Sequence, residues 1–244
     1  MTAGSFPTVL VDVRKGGGSF TNATLAGTYY VVGYGWSPGG GTPFNYSYTG
    51  TMNANGSGAW ALNVTGNVDG TIVPGSTNSG TYSIAADGTG TFTDTSAIVA
   101  QGGVLASGDI VVTSVMTAGV GCEILVGIRK GGIFNNALLQ GPYRAIAFGS
   151  SPGIAASHYS LSTDATFDGA GNMTWTATQN AEGAISTIPV ISETYVVQAD
   201  GTLTITNAGV GLTFNGGVLA GGSVAVAGCV TAGGFMEIRV YVKI

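Results

Sequence analysis

The sequence predicts an all-β protein made of two tandem, duplicated modules of about 115 residues, each an antiparallel β-barrel or β-sandwich. Composition, an internal repeat and the spacing of turns predict this class. The 244 residues include 43 glycines, with many Thr, Ser and Val. Only 8% are charged, against roughly a quarter in ordinary soluble domains. Such a composition favours strands and turns over helices.

The internal repeat is far longer than the unit of a solenoid, so it indicates a duplicated domain. RKGGGSFTNATLAGTY, which ends at Tyr29, matches RKGGIFNNALLQGPY, which ends at Tyr143. GTYSIAADGTGTFT matches ETYVVQADGTLTIT, and GGVLASGDIVV matches GGVLAGGSVAV. A fourth match, NANGSGAW with DGAGNMTW, predicts that Trp60 and Trp175 occupy corresponding buried positions. We place the modules at residues 1–122 and 123–244.

Each module is expected to contain seven or eight short strands, because Gly, Asn-Gly or Asp-Gly interrupts the apolar alternation every 8 to 12 residues. In module one the strands are predicted, in order, within LAGTYYVVGYG, NYSYTGTMNA, GAWALNVTG, GTYSIAA, GTGTFTDT, GGVLASGDIVVTSVM and CEILVGIRK. Asp87-Gly88 and Asp200-Gly201 suit hairpin turns in which both residues have positive φ. FNNALLQG and its weaker counterpart FTNATLAG predict one helical turn each. A meander of this length leaves open edges unless it closes or forms two sheets.

Three motifs carry a resemblance to a known group of proteins. They are G-x-Y at Gly141 to Tyr143, FDGAGN at 167–172, and GTYSIAADGTGT at 80–91. This series resembles Gly/Thr-rich secreted bacterial proteins with calycin-like, or lipocalin-like, β-barrels. The resemblance implies a closed barrel and, for some members, a small apolar ligand. It implies no catalytic residue.

Charge and hydropathy exclude several partners. The net charge is −5 and the isoelectric point is about 4.5, which argues against nucleic acid and anionic membranes. The sequence has no run of about 18 apolar residues, so we expect no membrane insertion by a helix. MTAGSFPTVL lacks the basic and apolar regions of a signal peptide, so we expect that this chain carries none. The polar, Lys-poor composition nevertheless favours an extracellular or cell-surface location.

The sequence predicts no enzyme, no cofactor and no metal site. His158 is the single histidine, so a histidine-based metal cluster is excluded, and no GxSxG motif accompanies it. Cys122 and Cys229 fit no metal-binding spacing. They are compatible either with one disulfide or with two inert thiols.

The aromatic stretch YYVVGYGW suggests one functional hypothesis. Tyr30, Tyr34 and Trp36 alternate along it, so they share one face of a strand. Those three side chains would line a cavity or fill the core. If they line a cavity, the protein is a lipocalin-like barrel that binds a small apolar ligand.

One strand motif occurs three times, as TVLVDVRKGG, EILVGIRKGG and EIRVYVKI, although the chain has two modules. Arg14 aligns with Arg129 and Lys243, which places Val9, Val11 and Val13 on the apolar face that each copy is expected to bury. The charged opposite face would guard strand edges or pair across an interface. The copy at residues 9–15 is therefore surplus if each module needs one, whereas the two modules share the middle copy if each needs two. The surplus copy either pairs within its own chain or inserts into a neighbouring molecule. The second alternative predicts a non-catalytic structural protein that assembles into filaments.

Overall fold

The computed structural model describes residues 19–38, 43–152 and 157–244. These residues form two closed antiparallel barrels of eight strands each. The predicted all-β fold with two tandem modules is confirmed, and each module is a barrel. Val9, Val11, Val13 and Arg14, the predicted assembly strand, lie outside the described residues.

Barrel 1 is an up-and-down barrel that follows the order of the chain. Its strands are β1 (Ala26–Ser37), β2 (Phe44–Asn55), β3 (Ala59–Val68), β4 (Thr71–Ile84), β5 (Thr89–Asp94), β6 (Val99–Val104), β7 (Ile110–Val115) and β8 (Glu123–Arg129). A 3-10 helix, Asn22–Thr24, precedes β1. β8 pairs with both β7 and β1 and so closes the barrel.

Barrel 2 repeats this plan. Its strands are β9 (Gln140–Ser150), β10 (His158–Asp168), β11 (Asn172–Ala181), β12 (Ala184–Val197), β13 (Thr202–Asn207), β14 (Leu212–Val218), β15 (Val224–Cys229) and β16 (Met236–Lys243). A 3-10 helix, Asn136–Leu138, precedes β9, and β16 closes the barrel on β9. Since β8 belongs to barrel 1, the modules divide after Arg129. The predicted boundary between residues 122 and 123 therefore lies one strand too early.

The predicted helical turns cap equivalent ends of the two barrels. In barrel 1 the hydroxyl of Tyr82 donates to the carbonyl of Leu25 at 2.7 Å, and the amide of Ile84 donates to the Asn22 side chain at 2.8 Å. Barrel 2 repeats both bonds, from Tyr195 to Leu139 at 2.8 Å and from Val197 to Asn136 at 2.7 Å. The conserved geometry within one chain supports duplication of a whole domain.

Two local predictions need correction. Among the hairpin pairs, only the glycines have positive φ, 87° at Gly88 and 91° at Gly201, because these turns run over four residues. The two tryptophans are not equivalent. Tyr82 and Tyr195 donate their amides to Gly58 and Gly171, which makes those glycines equivalent and sets the alignment.

With that alignment, Trp60 corresponds to Met173 and Trp175 corresponds to Leu62. The sequence match was therefore wrong by two residues. An even shift keeps a side chain on the same face of a strand, so both rings still pack in the interior of their own barrel. Trp175 is 7% exposed and Trp60 is partly buried.

The barrels pack side by side through a third apolar cluster. Its buried members are Tyr30, Val32, Val112, Val126 and Ile128 from barrel 1, and Phe148, Val226, Ile238 and Val240 from barrel 2. The Tyr30 hydroxyl donates to the carbonyl of Asp200 at 2.5 Å, at the end that carries the 3-10 helices. At the opposite end the amide of Gly233 donates to the carbonyl of Gly70 at 2.7 Å. Equivalent ends of the two barrels therefore lie on the same side of the molecule.

Candidate functional site

The interior of barrel 2 holds a buried cluster of charges. Arg239 projects from β16 and donates to Glu237 at 2.6 Å and to Glu193 of β12 at 2.9 Å. Asn207 donates to the same Glu193 at 3.0 Å, and the hydroxyl of Tyr159 donates to Glu237. Burial opposes the charge on Arg239, but Tyr241, Glu237 and Glu193 hold its pKa well above its ordinary value. The cluster thus compensates each buried charge with an opposite charge or a hydrogen bond.

Aromatic rings complete the surroundings of Arg239. Its guanidinium carbon lies 3.8 Å from the centre of the Phe214 ring and 5.4 Å from that of Trp175. A cavity of about 10 Å³ lies beside them, between Ala145, Leu161 and Trp175. Such a cavity has room for about one water molecule. The interior of barrel 2 is therefore filled, and ligand pockets of roughly 300 to 1,000 Å³ are far larger.

Barrel 1 has a simpler polar group at the corresponding place. Glu123, the counterpart of Glu237, accepts hydrogen bonds from Tyr48 at 2.6 Å and Tyr46 at 2.8 Å. Leu125 and Gly80 stand where barrel 2 has Arg239 and Glu193, so this carboxylate lies beside tyrosine hydroxyls rather than a guanidinium. Burial raises the pKa of Glu123, although both hydroxyls oppose the shift. The arrangement links β2 to β8 inside barrel 1.

The predicted ligand-binding residues do not line a barrel interior. Tyr30 and Tyr34 point outward from β1 into the space between the barrels, where the Tyr34 hydroxyl lies 3.2 Å from Nδ1 of His158. Trp36 is 39% exposed near the end of β1. Interior positions of β1 belong instead to Tyr29 and Val31, because neighbouring residues of a strand face opposite sides. The cavity assignment is thus corrected to an inter-barrel contact for the two tyrosines.

Both described copies of the repeated strand, β8 and β16, have the same orientation. Ile124, Val126 and Ile128 of β8 face barrel 2, while Ile238 and Val240 of β16 face barrel 1. The charged face, which was expected at edges or interfaces, points into the barrels, as Glu123, Glu237 and Arg239 show. Each described copy therefore buries its apolar face against a neighbouring barrel.

Each barrel also has one long strand that is paired on one side for part of its length. β12 pairs with β11 from Ala184 onward, but with β13 only from Thr194 to Val197. β4 pairs with β3 from Thr71 onward, but with β5 only from Gly80 to Ile84. Unpaired N–H and C=O groups along such an edge can accept another strand. The sequence does not predict these edges, because they arise where a long strand extends beyond a shorter neighbouring strand.

Metal ligands, cysteines and membrane-spanning helices are three further features that the sequence raises. They contain no group of three or more His, Cys, Asp or Glu side chains placed to hold a metal ion. Cys122 and Cys229 are both free thiols, the first exposed and the second buried, so the disulfide alternative is not realised. No helix in the described part of the chain is long and apolar enough to cross a membrane.

Comparison with known proteins leaves the family open. No protein-family model and no curated protein matches the chain. One solved structure similar to it is a protein of unknown function from the DUF3598 family of Nostoc punctiforme PCC 73102. The two share 10% sequence identity with a TM-score of 0.30, over 91% of this chain and 97% of the other.

Proposed function

We propose that this is a non-catalytic structural protein, located outside the cell or on its surface, that associates with other copies of itself through residues 9–15. The composition supports the location, and the filled interior of barrel 2 supports a role without a bound substrate there. A lipocalin-like function, which the barrel fold alone would allow, has weaker support because Tyr30, Tyr34 and Trp36 face outward.

One observation carries the proposal. Barrel 1 and barrel 2 are each closed by one copy of the repeated strand, β8 and β16, so neither barrel needs residues 9–15 for closure. In both copies the apolar face is covered by a neighbouring barrel. Val9, Val11 and Val13 alternate in the sequence as the apolar residues of those two copies do. Within one chain, the apolar faces of β8 and β16 are already buried between the two barrels. We therefore propose that the apolar face of residues 9–15 is buried against a second molecule.

Sedimentation of the full chain tests the proposal. We expect the intact protein to form species larger than a monomer, with a mass that rises with concentration. Val11→Asp should convert these species to monomers, because a carboxylate at the centre of the apolar face cannot be buried without a partner. Removal of residues 1–18 should do the same.

Asp12→Asn is the matched control, since it changes the opposite face of the same segment. It should leave the size distribution unchanged. An intact protein that stays monomeric at high concentration would refute the proposal, as would polymers that persist after removal of residues 1–18.

A further inference from the structure

The open edge of barrel 2 consists of the first nine residues of β12, 184–192. Over this stretch β12 has β11 as its only neighbouring strand among the described residues, because β13 begins its pairing at Thr194. The sequence of the edge is AISTIPVIS, which has no charged residue. Ile185 is 68% exposed and Val190 is 67% exposed. An uncharged, apolar edge of this kind favours addition of a strand.

The corresponding edge of barrel 1 has a different character. The pair Asn67 and Ile72 is equivalent to the pair Asn180 and Ile185, which aligns residues 71–79 with 184–192. Barrel 1 reads TIVPGSTNS there, so Thr, Gly, Thr and Asn stand in place of Ala184, Ile188, Val190 and Ile191, while Val73 stands in place of Ser186. The part of this edge next to β5 also has hydrogen-bond partners. The side chain of Asn78 donates to Asp94, and the amide of Thr95 donates to the carbonyl of Ser79. The two edges are therefore unequal, and that of barrel 2 is the better acceptor.

Pro189 limits how much of the edge is regular. The register between β11 and β12 shifts between Trp175 and Ala177, and Pro189 lies opposite this irregularity. Proline and bulges both restrict pairing at sheet edges. The regular part of the edge is accordingly residues 184–188, which is long enough for a short strand.

The position of the edge makes it accessible to another molecule. In the ring of eight strands β12 is four places from β16, one of the strands that pack against barrel 1. Residues 184–187, 189 and 190 of β12 are exposed while the two barrels are packed together. Barrel 1 of the same chain therefore leaves this edge uncovered.

We propose that residues 184–188 of β12 accept residues 9–15 of a second copy of this chain. This inference rests on the proposed function and assigns the acceptor surface for it. Main-chain hydrogen bonds would supply the affinity, and the alternation of Val9, Val11 and Val13 would set the register. Each chain then has one donor and one acceptor at different places, a head-to-tail contact that produces a filament when it does not close.

The donor segment is attached to barrel 1, whereas the acceptor edge belongs to barrel 2. Phe20 is buried in barrel 1 against Gly88, at the turn between β4 and β5. The three residues between positions 15 and 19 span at most about 14 Å. The donor therefore starts close to barrel 1 of its own chain, and we assign the β12 edge that it reaches to barrel 2 of a second copy.

Hydrogen exchange on the full chain tests the acceptor directly. As protein concentration rises, the backbone amides of residues 184–188 should exchange at least tenfold more slowly, while those of the matched edge at 71–75 should not change. An excess of a synthetic peptide of residues 7–17 should shorten the polymers and keep 184–188 protected. A peptide with the same composition in scrambled order should do neither.

Variants separate this inference from the proposed function. Ile185→Lys, at an exposed site, should dissociate the polymers, whereas Val73→Lys on the edge of barrel 1 should not. If Val11→Asp dissociates the polymers but Ile185→Lys does not, the proposed function stands and the acceptor assignment is wrong. Protection that appears at 71–75 instead of 184–188 also overturns the assignment. If the intact chain is monomeric and the peptide protects no segment, both inferences fail.

Discussion

Arg239 and Phe214 are in face contact inside barrel 2, with the guanidinium carbon 3.8 Å above the ring centre. In this position the cation is removed from water but keeps hydrogen bonds to Glu193 and Glu237. A buried ion pair of this kind is costly to break, because removal of one partner leaves an uncompensated charge. The contact thus makes the stability of barrel 2 depend on a set of polar residues that barrel 1 lacks.

We predict that Arg239→Leu, which copies Leu125 of barrel 1, destabilises the protein by about 3 to 5 kcal/mol. The cause is the burial of two carboxylates without their cation. Urea unfolding followed by tryptophan fluorescence measures the loss.

Arg144→Leu is the control for that substitution. Arg144 pairs with Asp164 at 2.7 Å on the surface, where both side chains are more than half exposed. Such a pair contributes about 0 to 1 kcal/mol. Equal losses for the two variants would contradict the importance of the buried cluster. Combining Arg239→Leu with Glu193→Gln and Glu237→Gln should restore part of the stability.

We predict that Glu123 makes the protein less stable as pH rises. Burial raises the pKa of Glu123 in the folded state above its ordinary value of 4.5. Between those two pKa values the folded protein holds more protons than the unfolded chain, so the free energy of unfolding falls with rising pH. Above the folded pKa the loss is complete.

Glu123→Gln should remove this pH dependence, because the amide never ionises and, like the protonated carboxyl group, offers one oxygen that accepts from a tyrosine and one donor towards the other tyrosine oxygen. Unfolding by urea at several pH values compares the variant with the original protein. The stability advantage of Glu123→Gln should grow from pH 4 towards neutrality. An advantage that stays constant, or shrinks, would show that the carboxyl does not titrate as described.

The sequence predicted the architecture because repeat, composition and turn spacing are properties of the chain itself. It did not predict which face of β8 would point inward. Alternation separates Val126 from Leu125 but does not say which side is the barrel interior. The face with Glu123 points inward because tyrosine hydroxyls satisfy it there, and the fully apolar face is covered by the second barrel.

The sequence did not predict the candidate site for a related reason. Alternation predicts that Tyr30 and Tyr34 share a face, but their hydroxyl groups contact Asp200 and His158, which are more than 100 residues away in the chain. The Arg239 cluster likewise combines β12, β13 and β16. Such contacts depend on barrel closure and on the packing of the two barrels, which local patterns do not encode.

We predict that the two cysteines react at very different rates. Cys122 is exposed, whereas Cys229 is buried, and burial raises the pKa of the Cys229 thiol. A thiol reagent at neutral pH should therefore modify one cysteine per native chain and two after unfolding. Mass spectrometry of the modified peptides identifies the site. Modification of Cys229 in the native protein, or failure of both thiols to react after unfolding, would contradict this arrangement.

Gly217 and Gly103 provide a matched test of the packing between the barrels. They occupy equivalent places in β14 and β6, opposite Thr202 and Thr89 in the neighbouring strands. A Cβ atom at Gly217 would lie 2.1 Å from the ring of Tyr30, whereas one at Gly103 would meet no atom within 4 Å. Gly217→Ala should therefore cost about 1 to 3 kcal/mol by overpacking. Gly103→Ala should change stability by less than about 0.5 kcal/mol.

A double-mutant cycle identifies Tyr30 as the cause of the difference. Tyr30→Ala alone should cost about 3 to 5 kcal/mol, because it empties the contact between the barrels. Once the ring is gone, adding Gly217→Ala should cost little more, so the two changes together should destabilise less than the sum of their separate effects. Additive losses, measured by urea unfolding, would show that Gly217 is required for something other than contact with Tyr30. Equal losses of stability for Gly103→Ala and Gly217→Ala would show that the Tyr30 ring does not pack against β14 in solution.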